Sequence, residues 1–182
     1  MRSKIFLASL LLTPLLVLLI STLSFQSGYS PKSTKNNGIF FTEYFDATKL
    51  NLIDDVENLK FEDGKWLFAT YASNGEDIAE ALYLMRQLNV ALNRDINKLK
   101  RVIFYSNKLL EPQVSDIKNK YPRVKIIEDQ NGVLLNVLQK NSKINFNIEN
   151  PIFIIDPYGR AVMYFEPGSD PKLMLKDLKV LI

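Results

Sequence analysis

The sequence predicts an α/β domain carried behind one N-terminal transmembrane helix, and three observations carry that expectation. Residues 5–25 form an apolar run without a charge. Between residues 66 and 140, strand-like apolar runs alternate with amphipathic stretches. A hairpin punctuated by proline and glycine then precedes a final amphipathic stretch. Alternation of the two patterns marks an α/β architecture, because each helix must bury its apolar stripe against the sheet built by the strands beside it.

Composition narrows the functions open to such a domain. Of 182 residues, 47% are hydrophobic and 24% charged, which suits one membrane segment and one domain of roughly 140 residues, large enough to bury a core. Lys and Arg number 23 against 20 Asp and Glu, a net charge of +3, too small and too interspersed for a nucleic-acid surface. The chain contains neither cysteine nor histidine. Disulfides, thiol redox chemistry and thiolate metal sites are excluded, and the commonest neutral metal ligand and general base is missing. Ser–His–Asp, Cys–His and zinc-ribbon arrangements are excluded with them. The sequence therefore assigns no catalytic residue, no metal ligand and no cofactor.

Taken in order, residues 1–26 read as the anchor. The run IFLASLLLTPLLVLLISTLSF at 5–25 spans roughly 30 Å as a helix, the thickness of a bilayer core. It is longer than the apolar core of a cleavable signal, and no Ala-x-Ala site follows, so an uncleaved anchor is expected. Arg2 and Lys4 precede it, which places the N-terminus in the cytoplasm and the domain across the membrane; Lys32 and Lys35 weaken that bias. Pro14 should kink the helix unless neighbouring groups recover the carbonyl it frees. Residues 27–38 (SGYSPKSTKNNG from Ser27) lack periodicity and read as a solvated tether, leaving 39–182 as the domain.

The domain opens with two segments, IFFTEYF at 39–45 and LNLIDDVENLKF at 50–61, whose aromatic and apolar residues are expected to line the domain as a leading strand or loop. The organising stretch is GKWLFATYASNGEDIAEALYLMRQ at 64–87: a strand over 66–71, a polar turn over 72–77 and a helix from about Ile78 to Asn93. Such a strand–turn–helix junction is where α/β folds place chemistry, since free backbone N–H groups converge there. Ile78, Leu82, Met85, Leu88 and Leu92 form one helical face. Ser73, Asn74 or Asp77 suits the cap, and Glu76, Asp77 and Glu80 suit the positive end of the dipole, a more economical account of these acids than catalysis. Arg86 and Gln87 leave the apolar face, free to meet another element or a partner. A strand over 101–105, a helix over 111–120, a strand over 124–127 and a helix from about Val133 to Lys140, with Leu134, Leu135 and Leu138 inward, complete the alternation.

In the last third, Asn150-Pro151 leads into the run 152–155, then Asp156-Pro157-Tyr158-Gly159, then a strand over 160–165. Pro157 presets φ and Gly159 takes a conformation other residues resist, so a β-hairpin explains this stretch without a catalytic Asp156. The peptide bond before Pro151 is a candidate for the cis form, packed against the 73–77 turn. Asp170 is placed to cap a final helix with Pro171 at its first position, and Leu173, Leu175, Leu178 and Leu181 are expected to make that helix amphipathic. Met85, Met163 and Met174 read as core fillers rather than ligands.

This order of elements, with GKWLFATYAS, the helix ALYLMRQ and the ending NPIFIIDPYGRAVMYFEPGSDPKLMLKDLKVL, resembles the thioredoxin-like Sco/SenC family. The likeness is nearest to its small membrane-anchored relatives associated with bacterial cytochrome c oxidase, and covers about residues 61–182. It implies a thioredoxin-like sheet with flanking helices. In that family a Cys-x-x-x-C motif occupies the first turn and a distal histidine completes a copper site; the two cysteine places fall near Asn74 and Ile78, neither of which can bind Cu(I).

The expectation is then a redox-inactive thioredoxin-like domain tethered to the bacterial inner membrane, with a periplasmic domain that acts through protein contacts. The resemblance suggests respiratory oxidase subunits or assembly factors as partners, besides the bilayer itself. The contact surface would comprise Ser73, Asn74, Gly75, Glu76, Asp77, Arg86, Gln87 and Pro151. The alternative is a copper-delivery or thiol-linked redox enzyme whose missing ligands come from a partner.

Overall fold

The computed structural model describes residues 2–27, 36–50, 52–54, 57–58, 63–72, 78–106 and 111–182. These divide into two units, one within 1–35 and one from Asn36 to Ile182. The first holds helix α1 (Arg2–Gln26), in which Phe6–Ser24 is long and apolar enough to cross a membrane, with a mean hydropathy of 2.4. Pro14 lies inside α1. Its missing N–H leaves the Leu10 carbonyl without its helical donor, and the Thr13 hydroxyl donates to that oxygen at 3.2 Å. The expected compensation is thus made by the residue next to the proline.

The second unit is built on one eight-stranded mixed sheet. Its strands are β1 (Ile39–Phe40), β2 (Ile53–Asp54), β3 (Glu57–Asn58), β4 (Trp66–Ala72), β5 (Leu99–Tyr105), β6 (Val124–Glu128), β7 (Ile152–Ile155) and β8 (Ala161–Phe165). Its helices are α2 (Ile78–Ala91), α3 (Glu111–Lys120), α4 (Val133–Asn141) and α5 (Pro171–Leu181). The strand order is β1-β8-β7-β4-β5-β6-β2-β3. β4, β5 and β6 run parallel, as α2 and α3 as crossovers require, whereas the β7–β8 hairpin adds antiparallel to β4. The organising strand therefore sits in the interior of the sheet, with every residue from Leu67 to Ala72 buried.

Strand alternation sorts the core into two layers. On one face Phe68, Ile103, Ile154 and Met163 meet Leu82, Met85 and Leu88 of α2 and Met174 and Leu178 of α5. On the other, Leu67, Tyr71, Phe104, Ile127 and Phe153 meet Leu134 and Leu138 of α4, with Phe146 and Tyr164. That second layer is aromatic: Phe146 stands edge-on to Phe153 at 5.9 Å and to Tyr164 at 6.3 Å, the arrangement ring quadrupoles favour. Phe41, from the leading segment, is buried in this layer as expected, and all three methionines of the domain are core fillers.

Three expectations need adjustment. Asn37 and Gly38, assigned to the tether, are tied to α5: Asp177 accepts from the Asn37 backbone N–H at 2.7 Å, its side-chain amide at 2.9 Å and the Gly38 N–H at 2.8 Å. In α5 Leu178 is buried and Leu175 and Leu181 pack partly buried against the core, but Leu173 is exposed and Met174 and Asp177 are buried beside Leu178. Residues two apart lie on opposite sides of a helix, so Leu173 and Leu175 cannot both face the sheet; positions 174, 177, 178 and 181 can. Finally, no peptide bond among the described residues is cis, so Pro151 follows a trans bond.

The local signals at the turns are realised. Asp170 caps α5, accepting from the Lys172 N–H at 2.8 Å. Asp156 closes the hairpin: its Oδ1 accepts from the Tyr158 and Arg160 N–H groups, both at 2.9 Å, and its Oδ2 from Arg160 Nε at 2.7 Å. Gly159 has φ +87°, and a Cβ there would strike the Thr48 side chain. The hairpin docks on the 46–48 turn through Ala47 N–H donating to the Gly159 carbonyl at 2.7 Å.

Candidate functional site

β4 delivers the chain to the expected site and α2 carries it away. Ser73, Asn74, Gly75, Glu76 and Asp77 lie outside the described residues. What borders them is defined: Ala72 ends β4 fully buried, and Ile78 opens α2 with its side chain in the core.

Beside the first turn of α2 lies a cleft of about 330 Å³. Glu80, Ala81 and Leu84 of α2 form one wall, Glu149 and Asn150 another, and Phe165 and Met174 the apolar floor, with Glu166 at the rim. Pro151 is buried between Asn150 and Ile152, which both line the cleft. The structure thus brings the start of α2 and the Pro151 segment to one concavity. It does not bring all the expected contact residues there. Arg86 and Gln87 are exposed on α2 and outside the lining; Gln87 donates from its side-chain amide to the Tyr83 hydroxyl, and Arg86 is close enough to Arg101 for their charges to oppose.

The end of β4 is held by a buried pair that the sequence reading did not single out. The Tyr71 hydroxyl, fully buried, donates to Asp129 Oδ2 at 2.9 Å, and the same oxygen accepts from the Leu135 N–H at 3.1 Å. Asp129 thereby fastens the first turn of α4 to the penultimate residue of β4, immediately before the 73–77 turn. Burial foremost, then the charge and hydrogen bond of Asp129, push the Tyr71 phenol well above its ordinary 10.0, against a smaller opposite pull from Ser106. A phenol whose folded pKa is raised contributes stability fully present below the unfolded pKa and lost as pH climbs past it. Stability is expected to fall above pH 10, by up to about 1.4 kcal/mol per pH unit from this group. Tyr71→Phe should flatten that limb by one proton in chemical denaturation measured across pH 9 to 11; an unchanged slope would remove Tyr71 from the account.

Thr70 sits on the opposite face of β4, fully buried, and its hydroxyl has no hydrogen-bond partner among the described residues. Desolvating an unanswered hydroxyl is unfavourable, while valine keeps the shape. Thr70→Val is therefore expected to raise unfolding stability by about 1 kcal/mol, read from the urea midpoint; a loss of stability would mean that the hydroxyl has a partner.

Copper, the metal the resemblance implies, needs soft donors, and this chain does not supply them. Cysteine and histidine are missing from the sequence, Met85, Met163 and Met174 are at most 1% exposed within the core, and the cleft offers carboxylates and amides instead. The donor set does not fit Cu(I).

Residues 66–182 match the family model described as transmembrane-like, thioredoxin-like, C-terminal domain. Among solved structures, BsSco, a member of the Sco family of cytochrome c oxidase assembly proteins, matches with a TM-score of 0.54 at 13% identity, covering 80% of this chain and 96% of that one. Yeast Sco1 with copper bound matches with a TM-score of 0.53 at 13% identity, covering 81% and 92%. Peroxiredoxin Q of Xanthomonas campestris matches with a TM-score of 0.52 at 14% identity, covering 74% and 92%. The expected thioredoxin-like fold is the observed one, and the likeness at these identities is one of fold. No curated protein matches the sequence.

Proposed function

Because the chain belongs to the transmembrane-like, thioredoxin-like C-terminal domain family, we propose that it is a membrane-anchored, redox-inactive thioredoxin-like protein that works by binding another protein. In this reading residues 1–26 anchor it in a bacterial inner membrane with the N-terminus cytoplasmic. The tether, ended at Asn37 and Gly38 by their bonds to Asp177, gives reach, and the unit that follows forms a periplasmic domain. The observation that carries the proposal is the cleft at the start of α2, apolar in its floor and rimmed by Glu80, Glu149 and Glu166, on a chain that has no thiol or imidazole to do redox or copper chemistry there. Such a surface suits a partner segment that presents an apolar side chain flanked by Lys or Arg. Residues 73–77, which join β4 to α2 in the chain, and Arg86 and Gln87 are the further contact residues of this reading.

The partners proposed are respiratory oxidase subunits or assembly factors, a reading supported by the fold shared with BsSco, itself an oxidase assembly protein. Affinity capture of the tagged full chain from solubilised membranes tests it. Recovery of an oxidase subunit or assembly factor is expected, reduced at least fivefold by Glu80→Lys with Glu166→Lys. Recovery of neither class would refute the oxidase role. Stoichiometric, tight Cu(I) binding by the purified full chain would instead favour metal delivery with ligands from elsewhere.

A further inference from the structure

At the other end of the sheet lies a second concavity, of about 280 Å³, where β4, β5 and β6 begin. The length of β4, roughly 20 Å at about 3.3 Å per residue, separates it from the C-terminal end of that strand. Lys65, Lys100, Arg101, Arg123 and Lys125 line it, together with Asn89 of α2, and no carboxylate is among its lining residues. Asp63, just before β4, is engaged by Lys100.

Arg101 is the residue that needs explaining. It occupies the β5 position between Leu99 and Ile103, whose side chains are buried under α2, and it is itself 8% exposed. Among the described residues its side chain makes no hydrogen bond or ion pair, and the charged groups near enough to act on it are Arg86 and Arg123, both of its own sign. Burial first, then those two cations, pull its pKa below the ordinary guanidinium value, although guanidinium does not give up its proton in proteins. A buried cation with only like charges around it is an unfavourable arrangement, relieved when an anion enters.

We propose that this cavity binds a phosphate group, held bidentately by the Arg101 guanidinium and by charge from Arg123 and Lys65. Arginine's planar fork matches two phosphate oxygens, and lysines add point charge without geometry. The volume lies just below the roughly 300–1,000 Å³ typical of drug-sized ligands, which suits a small oxyanion or the headgroup of an anionic phospholipid. Asn89, which also lines the cavity, has its side-chain amide held by donation to the Ile96 carbonyl at 3.1 Å. The site is independent of the partner cleft and stands or falls separately from it.

The test uses the full chain in neutral maltoside micelles at constant ionic strength, titrated by calorimetry with inorganic phosphate and, separately, with dihexanoyl phosphatidylglycerol. Saturable one-to-one binding of inorganic phosphate is expected, weakened at least tenfold by Arg101→Met and several-fold by Arg101→Lys, which keeps the charge and loses the fork. Binding of the phosphatidylglycerol alone, with the same variant dependence, supports the same chemistry with a lipid as its source. If Arg101→Met does not fold by circular dichroism, Arg123→Gln at the exposed rim takes its place, with at least a threefold weakening expected. Binding of neither probe, or equal binding by parent and variant, overturns the proposal.

Discussion

Asp177→Ala is expected to destabilise the domain by about 3 kcal/mol and to release its leading strand. The Asp177 carboxylate is buried in α5 and answers three donors, the Asn37 N–H, the Asn37 side-chain amide and the Gly38 N–H. Hydrogen bonds to a charged acceptor contribute roughly 1.5–3 kcal/mol each at most, and the alternative to making them here is a buried N–H without a partner. Part of that cost is recoverable if residues 36–38 peel away into water, which would undo β1 against β8, where Ile39 faces Tyr164. For a unit of this size the midpoint should fall by about 6–12 °C, with amide exchange at Ile39 and Phe40 rising more than at β4. The segment packs closely at Gly38, where a Cβ would lie 2.8 Å from Met163 Sδ and from Phe165 Cε1. A thermal midpoint within two degrees of the parent would show that the clamp is incidental.

The second large effect is expected at Asp129. Asp129→Ala removes the carboxylate that accepts from the fully buried Tyr71 hydroxyl and the Leu135 N–H, leaving the phenol only Ser106, a loss of about 2–4 kcal/mol. Its signature distinguishes it from simple cavity formation. If the penalty comes from an orphaned phenol, adding Tyr71→Phe should restore about 1 kcal/mol or more, because removing both partners of a buried hydrogen bond is milder than removing one. A double variant as unstable as the sum of the two single changes would argue that packing dominates. Asp129→Asn keeps an acceptor oxygen in the same place and should cost much less. Because this pair fixes the strand just before the 73–77 turn, the Asp129→Ala variant should also weaken capture of any partner that depends on the turn.

Much of this architecture was legible in residue order, and the failures share one cause. Interior strands announced themselves as apolar runs, α2 by its 78, 82, 85, 88, 92 spacing, and the hairpin by Asp156, Pro157 and Gly159, because each of these signals is local. In α5 Leu173 was the one leucine out of place, and Asp177 was discounted. Asp177 stands at the helical spacing of Met174 and Leu178, and a carboxylate in that register could have been flagged as a buried polar residue seeking donors. Arg101 carried a similar signal, a charge at the inward phase of a strand whose neighbours at 99 and 103 are apolar. Asp129, at the end of β6, offered no local sign, since its partner Tyr71 lies 58 residues away.

The sequence on its own determined the class of chemistry. A chain without cysteine or histidine cannot perform thiol redox work or hold Cu(I) through thiolate, whatever its shape, because those properties belong to particular atoms. It also determined the alternation of strands and helices and the apolar span at the N-terminus, which follow from periodicity. Only the tertiary structure decided that Glu80, Glu149 and Glu166 share one cleft, that Asp177 holds Asn37 and Gly38, and that a guanidinium is buried among cations at the far end of the sheet. Each of these joins residues distant in the chain, and proximity across a sheet is fixed by strand order and register, which no single segment encodes.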